Sequence, residues 1–193
     1  MKRLPPLLAA GALLLFLQAG PAWADTVRYR LGPSHGNISF KATSRLVDAD
    51  GRFHRFGAEV RMDPSALEQA VVTLVIDAAS VDTGIHRRDT HLRSEDFFHV
   101  SRFPQITFAS RRVAPADGKV LVTGDLMLHG VSREVTIPLE LELTAGAFHA
   151  RGEFTIRMSD YGMTYRSFFN PLRDEVRILF DLRGVPTPSG SPS

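Results

Sequence analysis

Lys119-Val-Leu-Val-Thr-Gly-Asp-Leu-Met-Leu-His-Gly-Val-Ser-Arg-Glu-Val-Thr-Ile-Pro-Leu-Glu-Leu-Glu-Leu-Thr144 is the stretch that decides the fold. Val120, Val122, Gly124, Leu126 and Leu128 take one side of it, against Thr123, Asp125 and His129. Beyond Gly130 the alternation resumes: Val135, Ile137, Leu139, Leu141 and Leu143 oppose Thr136, Glu140 and Glu142. A period of two with one apolar side is the pattern of a strand buried on one face. A glycine between two such runs marks a tight connection, so these two strands are antiparallel neighbours.

The same pattern extends in both directions. Ile38, Phe40 and Ala42 share a face, as do Val72, Leu74 and Ile76. Phe148, Ala150, Gly152, Phe154, Ile156 and Met158 oppose His149, Arg151, Glu153 and Arg157, and Val176, Ile178, Phe180 and Leu182 oppose Arg177, Asp181 and Arg183. Turn signals at Asp50-Gly51, Asp117-Gly118, Gly130 and Gly146 separate the runs. About eight long, one-sided strands predict an all-β fold, a single lipocalin-like antiparallel barrel, which leaves no open sheet edge. Arg151, Arg157, Arg177, Glu140 and Glu142 are too many charges to line so narrow a barrel, so the apolar faces point inward and the wall faces water. Pro64 to Glu68 reads as one helical turn. The charged stretch 84–104 reads as a connector with a short helix from Thr90 to Phe97.

Lys2 and Arg3, the apolar run from Leu4 to Leu17 and Ala22-Trp23-Ala24 have the charge, core and cleavage site of a secretory leader. Residues 1–24 are therefore expected to be removed, residues 25–185 to form the barrel domain, and the Pro-, Ser- and Gly-rich tail 186–193 to be disordered. Such a leader addresses the chain to the periplasm. Lys2 and Arg3 are the only charges in it, so the remaining 169 residues carry 21 basic and 21 acidic side chains. A neutral chain lacks the basic stripe that nucleic acid requires. With no cysteine, there is neither disulfide nor thiolate chemistry.

The connector carries the most distinctive text. Ser80-Val-Asp82-Thr83, Arg88-Asp89, His91-Leu92-Arg93-Ser94, Asp96-Phe97-Phe98, Phe103-Pro104 and Phe108-x-Ser110 closely resemble the signature of the YceI-like family of exported polyisoprenoid-binding proteins. Gly124-Asp-Leu126, His129-Gly130-Val131 and Arg157-x-x-Asp160-x-Gly162 resemble its later blocks. The resemblance covers about residues 26–184. It implies an eight-stranded barrel around an elongated apolar pocket for an isoprenoid or similar lipid, with no catalytic residues. One position departs from it: where family members often have Phe-x-x-x-His, Phe40 is followed four residues on by Ser44.

Ile38, Phe40, Val72, Ile76, Phe108, Val122, Leu126, Ile137, Phe154, Ile178 and Phe180 are the candidate pocket lining. A barrel of this size either packs solid or encloses one ligand, and the resemblance favours the ligand. Burying about ten methylenes gives roughly 8 kcal/mol gross, partly offset on association, so a long tail such as a forty-carbon prenyl chain suits the pocket. Arg157, Arg166 and Arg173 are candidates for a phosphate or quinone head. Asp82, Arg88, Asp89, His91 and Arg93 are read as structural, with Asp89 and Arg93 four apart as a helical ion pair. His86, His91 and His99 lie five and eight apart, not the three or four that puts ligands on one helical face, so no metal is expected. No His-Glu-x-x-His occurs, and the expectation is a binding protein without cofactor or catalysis. Its partners would be an isoprenoid or other long-chain lipid and, transiently, a membrane or membrane protein; monomer and homodimer are both open. The rival is a stress-response or electron-transfer accessory that works through protein contact, hinted at by Leu121, Met127 and Leu179 on otherwise polar faces.

Overall fold

The structure, a computed structural model, describes residues 26–44, 48–163 and 172–187. Eleven strands form one antiparallel sheet: β1 (Val27–Leu31), β2 (Gly36–Ser44), β3 (Ala49–Phe53), β4 (Phe56–Asp63), β5 (Ala66–Asp77), β6 (Val81–Asp82), β7 (Gln105–Ala116), β8 (Lys119–Leu128), β9 (Val131–Thr144), β10 (Ala147–Arg157) and β11 (Leu172–Gly184). Helix α1 (His86–Arg93) lies between β6 and β7. The number of strands corrects the expected eight. Eight of them are eight or more residues long, and β1, β3 and β6 are short additions that alternation over a few residues does not separate from loop.

The strand order is β1-β4-β5-β7-β8-β9-β10-β11-β2-β3-β6. Since β6 continues β5 through a 3-10 turn at Ala78–Ser80, its pairing with β3 brings the end of the order back to β5 and curls the sheet round on itself. At the other end of the order, Thr187, just beyond β11, donates its N–H to the Arg28 carbonyl of β1 at 2.9 Å. The barrel thus has two ends. One carries the tight turns β7–β8 and β9–β10; the other carries α1 and the β8–β9 turn.

Three hairpins turn on two residues with positive φ: Asp117-Gly118, His129-Gly130 and Ala145-Gly146. Both central residues left-handed is the geometry whose twist matches the flanking strands. Asp50-Gly51, by contrast, is no turn. It lies inside β3, opposite Lys41 and Phe40 of β2. A Cβ on Gly51 would come within 2.4 Å of the Phe40 ring, so the glycine is there for close approach. Pro64 to Glu68 is not helical either. Asp63 Oδ1 accepts from the Ser65 N–H at 2.8 Å and its hydroxyl at 2.6 Å, which makes a local turn into β5.

The apolar faces point inward, where Ile38, Phe40, Phe108, Val122 and Val176 are buried. The outer wall is laced with ion pairs, among them Arg151–Glu142 and Arg111–Asp125, each at 2.7 Å. Such a wall belongs in water and not in hydrocarbon. A second, smaller core at the turn-bearing end packs Tyr29 against Phe148, rings 4.9 Å apart, with Leu31 and Met62.

Candidate functional site

The inward residues do not fill the barrel. They enclose a cavity of about 450 Å³. All eleven residues expected to line a pocket do line it: Ile38 and Phe40 from β2, Val72 and Ile76 from β5, Phe108, Val122 and Leu126 from β7 and β8, Ile137, Phe154, Ile178 and Phe180 from β9 to β11. Alternation could identify them because every second residue of a barrel strand must face the bore. The turn-bearing end is sealed by Tyr29, whose hydroxyl donates to the Gly146 carbonyl at 2.6 Å. Burial raises the Tyr29 pKa above the usual tyrosine range.

The α1 end is built by the signature block. The helix runs His86–Arg93 and not Thr90 to Phe97, because Ser94 is extended and its hydroxyl caps the His91 carbonyl. One face of the helix, Arg88, His91 and Leu92, looks into the cavity. Another fastens the helix to the β5–β6 corner. Asp89, only 7% exposed, accepts the Thr83 N–H at 2.8 Å and the Thr83 hydroxyl. Arg93 donates from Nε to the Ala79 carbonyl at 2.8 Å and from Nη2 to the Val81 carbonyl at 2.6 Å. The expected Asp89–Arg93 ion pair is therefore replaced by two separate anchors, since backbone groups at the corner satisfy both side chains. Asp82 pairs with His54 at 2.6 Å, and that bond, with the Gly84 N–H, holds its carboxyl below the usual range.

Of the described residues that line the cavity, only Arg88 and His91 carry polar side chains. Sequence reasoning placed both as structural and looked for head-group residues elsewhere. Arg157 and Arg173 are exposed on the outer wall and take no part in the lining, because they alternate with inward neighbours such as Ile156. Arg166 and the leader lie outside the described residues, as do residues 188–193 of the tail. Ser44 is also outside the lining; its N–H donates to Asp48 Oδ1 at 3.1 Å. Leu92, Phe97 and Phe98 line the cavity and were missed, because the polar stretch around them masks their apolar side.

Gly32-Pro33-Ser34-His35-Gly36 has the letters of a nucleophile elbow, another feature easily overlooked. It forms a 3-10 turn between two strands, not a strand-to-helix elbow, and Ser34 lies in the open against its own neighbour His35. Among the described residues no three His, Asp or Glu side chains are placed to share a metal ion. His91 is instead bonded to Asp96 at 2.8 Å.

The YceI-like domain profile matches residues 29–183. The chain belongs to the YceI-like family. A UPF0312 protein of Pseudomonas aeruginosa is 31% identical over 192 residues, covering 96% of this chain and 98% of the relative. One from Vibrio parahaemolyticus is 36% identical over 131 residues, covering 67% and 69%. Among solved structures, Burkholderia cenocepacia BcnA superposes with a TM-score of 0.71 at 29% identity, over 77% of this chain and 95% of that one. A polyisoprenoid binding domain from Saccharophagus degradans, implicated in plant cell wall breakdown, superposes at 0.65 with 20% identity, over 84% and 100%. The last likeness is one of fold. The family's barrel is thus this chain's barrel, with an apolar bore along it.

Proposed function

We propose that the protein is a non-catalytic carrier that shelters the tail of a single long-chain lipid, of isoprenoid type, in the barrel. The observation that carries this reading is a cavity whose lining, among the described residues, is apolar apart from two side chains at one end. A cavity of this kind stays dry and takes apolar guests. The polyisoprenoid binding of the Saccharophagus domain supports the isoprenoid class. At about 25 Å³ per carbon, the scale set by a 150 Å³ apolar cavity that takes one benzene, the 450 Å³ bore holds about 18 carbons. A forty-carbon chain exceeds that space, and the excess must widen the wall or run out of an end. Export to the periplasm through the leader at residues 1–24 belongs to the same proposal.

A series of single-tailed probes with one head and increasing tail length tests it. Affinity for the delipidated mature protein should rise by up to about fourfold per methylene and level off near 18 carbons. Affinity indifferent to tail length would overturn the reading. The protein-contact rival has one feature in its favour. An uncharged row of Gly57, Val75, Thr107, Met127 and Ser132 crosses five strands of the outer wall, with Val75 and Met127 exposed.

A further inference from the structure

Among the described residues, the polar lining of the cavity is confined to one face of α1. Arg88 and His91 are three apart with Leu92 beside them, which puts all three on one side of the helix. The far end is closed by Tyr29, Phe148, Leu31 and Met62. A lipid held in this bore therefore has one favourable orientation. With its tail toward Tyr29, its head meets two groups able to bond it; reversed, the head's acceptors would be buried unpaired among apolar side chains.

The state of Arg88 narrows the head chemistry. Its Nε donates to the Thr83 hydroxyl oxygen at 2.8 Å and its Nη2 to the Thr83 carbonyl at 3.0 Å. The guanidinium is thereby held in one plane before any ligand arrives. Thr83 in turn donates to Asp89, so the carboxylate nearest in sequence is spent on threonine. Among the described residues no carboxylate lies within ion-pair distance of Arg88. An arginine carries its charge at every accessible pH and offers donors only. A permanent cation at the mouth of an apolar bore, without a carboxylate of its own, is complementary to an anion.

We infer that Arg88 is the head-group residue of this cavity and that the lipid's head is an oxygen anion, phosphate or carboxylate. The inference rests on the carrier reading and adds to it the orientation and charge of the ligand. Farnesyl phosphate, farnesol and palmitate, titrated into the delipidated mature protein, separate the two. Wild type should bind farnesyl phosphate about tenfold or more tighter than farnesol. Arg88→Met should erase that preference by weakening farnesyl phosphate about tenfold, with a severalfold smaller loss for farnesol, and Arg88→Lys should restore part of it. Palmitate binding comparably to the phosphate assigns the site to anionic heads in general; weak palmitate with tight phosphate assigns it to phosphate. Equal wild-type affinity for phosphate and alcohol would overturn the head assignment and leave the carrier standing. An equal loss for both in Arg88→Met, beside a lowered unfolding midpoint, would overturn it too, making Arg88 a brace for Thr83. If no probe binds, the carrier reading itself fails.

Discussion

Asp89 has two donors depending on it and almost no water to take its place. Asp89→Ala leaves the Thr83 N–H and hydroxyl short of their acceptor and loosens the support under Arg88. A buried donor left unpaired costs about 1–3 kcal/mol, against the ~1 kcal/mol ceiling of an exposed ion pair. Urea unfolding of the variant should show a loss in the higher range, and a loss of a few tenths would mean the anchor is not holding. The spacing of Asp89 and Arg93 was legible in the sequence. Their partners were not, because Thr83, Ala79 and Val81 reach them only once the β5–β6 corner is folded. Tyr161 shows the opposite condition: it is 2% exposed and its hydroxyl has no partner among the described residues. Burial, then the nearby Asp160, pushes its pKa up. With the folded pKa above the unfolded value, the unfolded state releases its proton first as pH rises past about 10. The stability held by neutral Tyr161 is thus complete below that pH and lost above it. Tyr161→Phe should unfold no more easily than wild type at neutral pH and less steeply on going to pH 11.

At the scale of strands, aromatic rings of the bore occupy the space over glycines of the neighbouring strand. Phe40 covers Gly51, and Phe180 covers Gly152, where an added Cβ would stand 2.4 and 2.6 Å from the ring. The nearest atoms that Gly51→Ala would meet are side-chain atoms, the Phe40 ring and a Thr83 methyl. Its expected effect is to swing Phe40 into the cavity. Tail affinity should fall severalfold, with a fold that survives; unchanged affinity would show that the ring does not gauge the bore. The misreading of Asp50-Gly51 as a turn has the same root. A glycine needed for close approach and one needed for positive φ look alike in sequence. Asp117-Gly118, where the turn does need positive φ, was read in its right place.

For the whole molecule, the inward faces were legible because a barrel imposes period two on every wall strand. The α1 face was not, because Arg88, His91 and Leu92 sit in a polar connector whose orientation only the folded end of the barrel determines. The sequence also left open whether the bore is full or empty, since apolar residues facing inward serve both outcomes. The measurement that addresses that question most directly is mass spectrometry of the lipid released from gently purified mature protein, with its molar ratio to the chain. The expected result is one class of single-tailed, anion-headed lipid approaching one molecule per chain. Protein that carries no lipid, binds none when offered it, and loses the full ~3–5 kcal/mol of a packed core on Phe108→Ala would contradict it, because the barrel would then be solid.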